Sequence, residues 1–452
     1  MVGSWDHEPV GVVTGRREFG LLAGATAVVL GVLVAVGTGQ EAPAAGERHE
    51  KLIAEPPPTR SVTPAAGGEW VGTWSAAPTG PEPGTDGGLP DRSIRNVVHT
   101  SVGGGEVRVE LTNQYGGRSV GFSNVTVALS ADGGPNALPG SMRRLTFGDG
   151  TSVLVPPGER VLSDPVRLDV PADADLLVTV YAPEASGSVT QHRMAQQNSF
   201  LATGDAAGEE SGAAFTEVTG AWRYVSSVQV LSQTAEGSVA VLGDSLTDGI
   251  TSTPGANRRW TDLLAERLRA EPEVPRLAVL NQGISGNRLL LDGDPTRQYN
   301  GASGLRRLGL DVVHQAGLRT VVLQLGINDI SAPPQQTDPA AVVAAMRELT
   351  AEAHEAGLRV VGATLTPFAG HGNFTAERER VRQLVNAEIR AGGVFDAVVD
   401  FDLALRDPAR PQSLLPAYDS GDGLHPSDAG FAAMAHAVPL SELVPDIEEQ
   451  AL

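Results

Sequence analysis

Residues 238–249 read Ser-Val-Ala-Val-Leu-Gly-Asp-Ser-Leu-Thr-Asp-Gly. Ser238 to Leu242 is a short run apolar enough to be buried on both faces, as strands inside a parallel sheet are. A Gly-Asp-Ser turn follows at once, so the chain delivers Ser245 from the carboxyl end of a strand. Similar runs recur downstream at Leu277 to Asn281, Thr320 to Leu325, Val360 to Leu365 and Ala397 to Asp400. Helical patterns at Arg259 to Leu268, Pro339 to Ala356 and Ala376 to Ala391 separate several of them. Parallel strands joined by helices need right-handed crossovers, which predicts a three-layer α/β/α domain with a five-stranded parallel sheet over residues 236–440. In such a domain sites form beyond the carboxyl ends of the strands.

Upstream of Glu236 the pattern is different. Short β-type runs punctuated by Gly, Pro, Asn and Asp lie at Arg95 to Ser101, Glu106 to Thr112, Val120 to Ala128, Arg144 to Phe147, Arg160 to Val170, Leu176 to Tyr181 and Arg223 to Leu231. Val107 to Leu111 alternates apolar and polar side chains, which puts them on opposite faces of a strand. Many short strands with almost no helical pattern predict an all-β, sandwich-like domain over residues 69–235. Residues 45–68, centred on Pro56-Pro57-Pro58, read as an extended linker. Residues 441–452 read as a C-terminal tail.

Residues 1–44 read as an export address. Arg16 and Arg17 precede an Ala/Gly/Val/Leu-rich stretch, and Ala42-Pro43-Ala44 offers a small-x-small cleavage site. The arginine pair suggests the twin-arginine route, although Gly20 stands where that signal has an apolar residue. The alternative is an uncleaved N-terminal membrane anchor, since about 18 mostly apolar residues just reach bilayer-spanning length. The expected location is therefore secreted, with no membrane partner beyond export or that anchor.

The 452 residues carry a formal charge of -21, which excludes a nucleic-acid partner because phosphate binding needs a basic face. Cysteine is absent, which removes disulfides, thiolate metal sites and a cysteine nucleophile. Any chemistry must run on oxygen and nitrogen groups. No His/Asp/Glu cluster has catalytic-metal spacing, and no metal or other cofactor is expected.

Four blocks carry distinctive groups: Gly243-Asp244-Ser245, Gly283-Ile284-Ser285-Gly286-Asn287, Gly326-Ile327-Asn328-Asp329 and Asp422-Gly423-Leu424-His425-Pro426. Each alone is an ordinary turn or cap. Together, in this order, they resemble the SGNH (GDSL) hydrolase superfamily over roughly residues 236–440. The resemblance implies Ser245 as nucleophile, Ser245, Gly286 and Asn328 as oxyanion donors, and Asp422 with His425 completing a triad. Gly283 is a rival for the second-block glycine, but Ser285-Gly286-Asn287 fits the family pattern better.

Physical chemistry supports the same roles. A serine hydroxyl needs a base within hydrogen-bond reach, and imidazole suits that task near neutral pH. His425 is placed to take the Ser245 proton, and Asp422 to orient the ring and stabilise the imidazolium. The Gly-x-Ser-x-Gly elbow of α/β-hydrolases is missing, because Thr247 stands at its second glycine. Asp419 reads as a loop residue, His371 as a turn residue with access to the pocket, and His354 and His436 as surface or packing groups.

Arg288, Trp260 and Phe368 are expected at the substrate pocket, with Leu289 and Leu290 beside them. Trp70 and Trp74 read as staples of the β-domain core. The layout resembles two-domain secreted GDSL esterases of GC-rich bacteria. That implies an ester hydrolase acting on a small ester or an acylated polysaccharide, with a carbohydrate acetylesterase as one form. A lipase or lysophospholipase is the enzymatic alternative. A carbohydrate-binding or cell-surface protein with a vestigial hydrolase domain is the non-enzymatic one.

Overall fold

The computed structural model describes residues 67–293, 296 and 298–444. The expected export address, nearly all of the expected linker and most of the expected tail lie outside these residues. The expected parallel sheet is present. Its strands, in spatial order, are Leu277–Gly283, Gly237–Gly243, Leu318–Gln324, Arg359–Ala363 and Ala397–Val399, every neighbouring pair parallel.

Alternation along these strands builds the two outer layers. Val239, Val241, Val279, Val322, Val361 and Val399 face one side, where they meet the helices Trp260–Ala270 and Asp428–Ala437. Ala240, Leu242, Leu280, Val321, Leu323 and Val360 face the other, against Pro339–Glu355 and Ala376–Ala391. Both faces are thus dry, which is why these strands read as unbroken apolar runs. Local chemistry fixes the helix starts. Asp338 caps the Ala340 N–H ahead of Pro339, Thr375 caps Arg378, and Ser427 caps Gly430.

The upstream half is a sandwich of antiparallel sheets. One holds Glu69–Ser75, Val225–Ser232, Gly104–Thr112 and Val166–Val170, with Arg160–Leu162 also on Gly104–Thr112. The other runs Glu217–Thr219, Ser199–Thr203, Arg92–His99, Asp175–Ala182, Asn124–Leu129 and Arg143–Arg144. Inward residues such as Val107, Val109, Ile94, Val125, Val178 and Val228 share one core. Three expected runs are split, among them Arg223 to Leu231, where Trp222–Arg223 and Val225–Ser232 belong to different sheets on either side of Tyr224. Val120 to Ala128 divides at Ser123 because Val120–Phe122 and Asn124–Leu129 belong to different sheets. Arg160 to Val170 divides around Pro165, which has no N–H for the ladder.

The two halves meet along the edge strand Leu277–Gly283. There the Val279 N–H donates to Ser101 Oγ (3.2 Å) and Gln282 Nε2 donates to Ser75 Oγ (2.8 Å). Gly72 lets the strand Glu69–Ser75 lie close, since a Cβ there would sit 2.8 Å from a Leu280 methyl. An otherwise unpaired sheet edge is covered in this way.

Candidate active site

Asp244 and Ser245 begin the turn beyond the strand Gly237–Gly243. Asp244 caps the short helix Ser245–Asp248, accepting from the Leu246 N–H at 3.1 Å, and Gly249 closes it in the left-handed region. Ser245 is therefore the first residue of a helix, and its N–H has no intrahelical acceptor. Asp244 is fully buried, and that burial pushes its carboxyl up to about 7 against the hydrogen bond from Leu246.

His425 arrives from the loop ahead of the last helix. Its Nε2 lies 2.9 Å from Ser245 Oγ and its Nδ1 2.6 Å from Asp422 Oδ2. The other Asp422 oxygen accepts the N–H groups of Leu424 (2.9 Å) and His425 (2.8 Å), so the three-residue spacing folds into one tight loop. Burial acts to raise the Asp422 carboxyl, but the His425 ring and these N–H groups outweigh it and hold it below its ordinary value. Asp419 stays within the loop, accepting from Gly421 and Gly423.

Gly286 and Asn328 line the same open pocket as Ser245 and His425, a space of about 370 Å³. Gly286 has φ +77°, and a Cβ there would lie within 3 Å of the Asn300 amide, so this position requires glycine. Gly283 serves packing instead: its Cβ would strike the Asp248 backbone. Asn328 Nδ2 donates to Asn287 O at 3.0 Å. The neighbouring Asp329, fully buried, accepts from the N–H groups of Leu289 (2.7 Å) and Leu290 (2.9 Å) and so pins the loop that carries Gly286. Burial pushes the Asp329 carboxyl up, opposed by those N–H groups and by Arg288.

The three expected substrate contacts lie elsewhere. Trp260 has no exposed surface and packs edge-on to Phe401 in the core (ring centroids 5.3 Å apart). Phe368 is equally buried, against Phe374, Ile327 and Leu424 behind the pocket wall. For both rings, burial of a large apolar surface outweighs a place in solvent. Arg288 turns toward the carbonyls of Pro333 and Pro334, beside Asp329, and borders an adjoining cleft of about 190 Å³ that shares Gly286 and Asn300 with the Ser245 pocket. His371 does line the Ser245 pocket; burial lowers its pKa, with Asp422 opposing and His425 adding. His354 pairs with Asp396 and His436 bonds the Ala432 carbonyl, both away from the site. Trp74 packs against Trp222 in the sandwich core, while Trp70 lies under Arg108.

Several pocket residues carried no sequence signal. Thr79, Arg193 and Met194 come from the sandwich, and Ile250, Tyr299 and Asn300 from loops of the α/β half. Beneath them a buried strut links the halves. His192 Nδ1 donates to Ala77 O (2.8 Å), and its Nε2 meets Asp248 Oδ1 at 3.0 Å, both side chains being 3 % exposed. The second Asp248 oxygen accepts the Ser285 N–H (2.8 Å) and the Ser285 hydroxyl. One carboxylate thus ties the serine turn, the Gly286 loop and the sandwich together. Asp248 stood in the opening stretch, four residues after Asp244; His192, from the other half, was invisible.

Residues 241–433 match the model of the GDSL-like lipase/acylhydrolase family. No curated protein matches the chain. Among solved structures, an aryl esterase of M. smegmatis is 20% identical, covering 46% of this chain and all of its own, with a TM-score of 0.37. A carbohydrate acetylesterase family member from Sinorhizobium meliloti is 18% identical over 46% of this chain and 99% of its own, with a TM-score of 0.37. A GDSL-like lipase from Bacteroides thetaiotaomicron is 19% identical over 48% and 90%, with a TM-score of 0.35. The family model spans the loops that carry Ser245, Gly286, Asn328, Asp422 and His425, and this match over residues 241–433 supports an SGNH (GDSL) hydrolase domain with the chemistry of a carboxylic-ester hydrolase.

Proposed function

We propose that the protein is an exported serine esterase that works through an acyl-enzyme on Ser245. The observation that carries this reading is the continuous line from Ser245 Oγ to His425 Nε2 (2.9 Å) and from His425 Nδ1 to Asp422 Oδ2 (2.6 Å) at the floor of an open pocket. In the first step His425 takes the Ser245 proton as Oγ bonds to the ester carbonyl carbon. Asp422, held ionised, stabilises the imidazolium. The proton then passes to the departing alkoxide as the carbon–oxygen bond breaks, which leaves Ser245 acylated. Water, deprotonated by His425, repeats the sequence and releases the acid.

The tetrahedral intermediates need donors in place before charge develops. The Ser245 N–H at the helix start, the Gly286 N–H, which makes no backbone hydrogen bond among the described residues, and the Asn328 amide supply them in this reading. The mixed lining, with Ser285 and Asn300 beside Met194, Ile250 and Leu424, suits a short acyl group on a polar alcohol such as an acetylated carbohydrate. The export part of the proposal rests on Arg16, Arg17 and the apolar stretch that follows, and sequencing the N-terminus of the mature protein tests it.

The test of activity uses p-nitrophenyl esters of increasing acyl length with the wild type and Ser245→Ala. The reading predicts fastest turnover of acetate and loss of activity in the variant. Equal rates for the two proteins would overturn it, and an optimum at long chains would favour a lipase instead.

A further inference from the structure

We propose that Arg193 makes the pocket selective for esters that carry an anionic group, a carboxylate or a phosphate, beside the scissile bond. This inference rests on the esterase reading above and names the substrate class of the same site.

Arg193 belongs to the sandwich, yet it lines the pocket that holds Ser245 and His425. Its position is anchored from the residue before it. His192 ends the strand Thr190–His192, which is paired on both sides, and its ring is fixed by Ala77 and Asp248. The Arg193 guanidinium stacks on Tyr299, 4.4 Å from the ring centroid. Stacking holds the plane of a guanidinium while leaving its in-plane N–H fork free for a bidentate oxyanion.

Among the described residues Arg193 makes no hydrogen bond and no ion pair. Arginines nearby behave differently. Arg223 is held by Glu82, Arg259 by Asp262 and the Ala195 carbonyl, and Arg288 by the carbonyls of Pro333 and Pro334. An unpartnered cation facing the pocket of a chain with net charge -21 is a local reversal of the molecule's charge. Among the described residues lining this pocket the one carboxylate, Asp248, has both oxygens committed to His192 and Ser285, and Glu82, which shares a neighbouring cleft with Arg193, is held by Arg223. The pocket, at about 370 Å³, exceeds what an acetyl group fills, so there is room for an alcohol bearing such a group.

The experiment compares matched esters. 4-Acetoxybenzoate is set against its methyl ester for the carboxylate arm, and a 1-acylglycerol 3-phosphate against the 1-acylglycerol for the phosphate arm. The ratio of kcat/KM, anionic over neutral, is measured for the wild type, Arg193→Ala and Arg193→Lys. The wild type is expected to favour the anionic member of at least one pair. Arg193→Ala is expected to lower that ratio by about tenfold or more, the worth of one charge-assisted hydrogen bond, and Arg193→Lys to restore part of it. The arm that responds identifies the source of the anion. A ratio that is the same in wild type and Arg193→Ala in both arms overturns the inference, as does a wild type that prefers the neutral ester in both. Ser245→Ala, run on the neutral esters, separates the two readings. If it stays active the esterase mechanism fails, whereas if it is inactive and the ratios are flat only the role of Arg193 fails.

Discussion

Replacing His192 with alanine removes one partner of a buried pair and leaves Asp248 without its cross-domain contact. Both side chains are 3 % exposed and 3.0 Å apart, so solvent cannot substitute without entering the joint between the halves. Breaking such a pair typically costs about 3–5 kcal/mol, because the remaining charge is stranded. Asp248 retains its two bonds from Ser285, which places the expected loss at the lower end, about 3 kcal/mol. Catalysis should suffer too, since Asp248 orients the loop that presents Gly286. A misplacement of about 1 Å in such a support can cost about a hundredfold, so a fall in kcat of at least about tenfold is expected, with KM for a small ester little altered. Urea denaturation and steady-state kinetics of His192→Ala measure both. A stability loss below about 1 kcal/mol, the worth of a surface pair, together with an unchanged kcat would refute the strut.

Asn328→Ala should lower kcat by about 10²–10³, the usual cost of one oxyanion donor, with KM and the circular dichroism spectrum preserved. Asp244 gives a pH test of stability. The folded chain holds its proton up to about pH 7, while the unfolded chain releases it near pH 4. The folded state therefore binds more protons between these values, and this group's contribution to stability is fully present below pH 4 and is lost as pH rises through 7. Asp244→Asn should remove that slope, worth up to about 4 kcal/mol, and be the more stable protein at pH 8. Parallel urea midpoints from pH 4 to pH 8 for the two proteins would contradict the assignment. Trp260→Ala should cost about 3–5 kcal/mol in urea denaturation through the core cavity, and leave the ranking of ester substrates unchanged.

The sequence made the Ser245 end of the sheet legible because the residues that meet there are close in sequence. A strand, a turn and Ser245 lie within twelve residues, and Asp422 and His425 share one loop. The parallel strands were equally plain, since burial on both faces leaves no polar alternation to confuse them. Trp260 and Phe368 lie in the core rather than the pocket, because nearness in sequence to a pocket loop does not say which way a ring points. Arg288 was misplaced because its charge is taken up by the carbonyls of Pro333 and Pro334, a contact 45 residues away. Thr79, Arg193 and Met194 reach the pocket only through the packing of one half on the other, for which no short pattern exists. Asp248 sat in plain view. Its role depends on His192, 56 positions upstream, and pairings at that separation are set by tertiary structure alone.

The central claim is that the Ser245 hydroxyl is the nucleophile, and covalent capture tests it most directly. Wild-type protein treated with a fluorophosphonate ester and digested should show one phosphonylated peptide, modified at Ser245, with loss of esterase activity in step with labelling. His425→Ala should label far more slowly. A wild-type protein that is inactivated while Ser245 remains unmodified, or that hydrolyses esters at full rate with Ser245 fully labelled, would contradict the account.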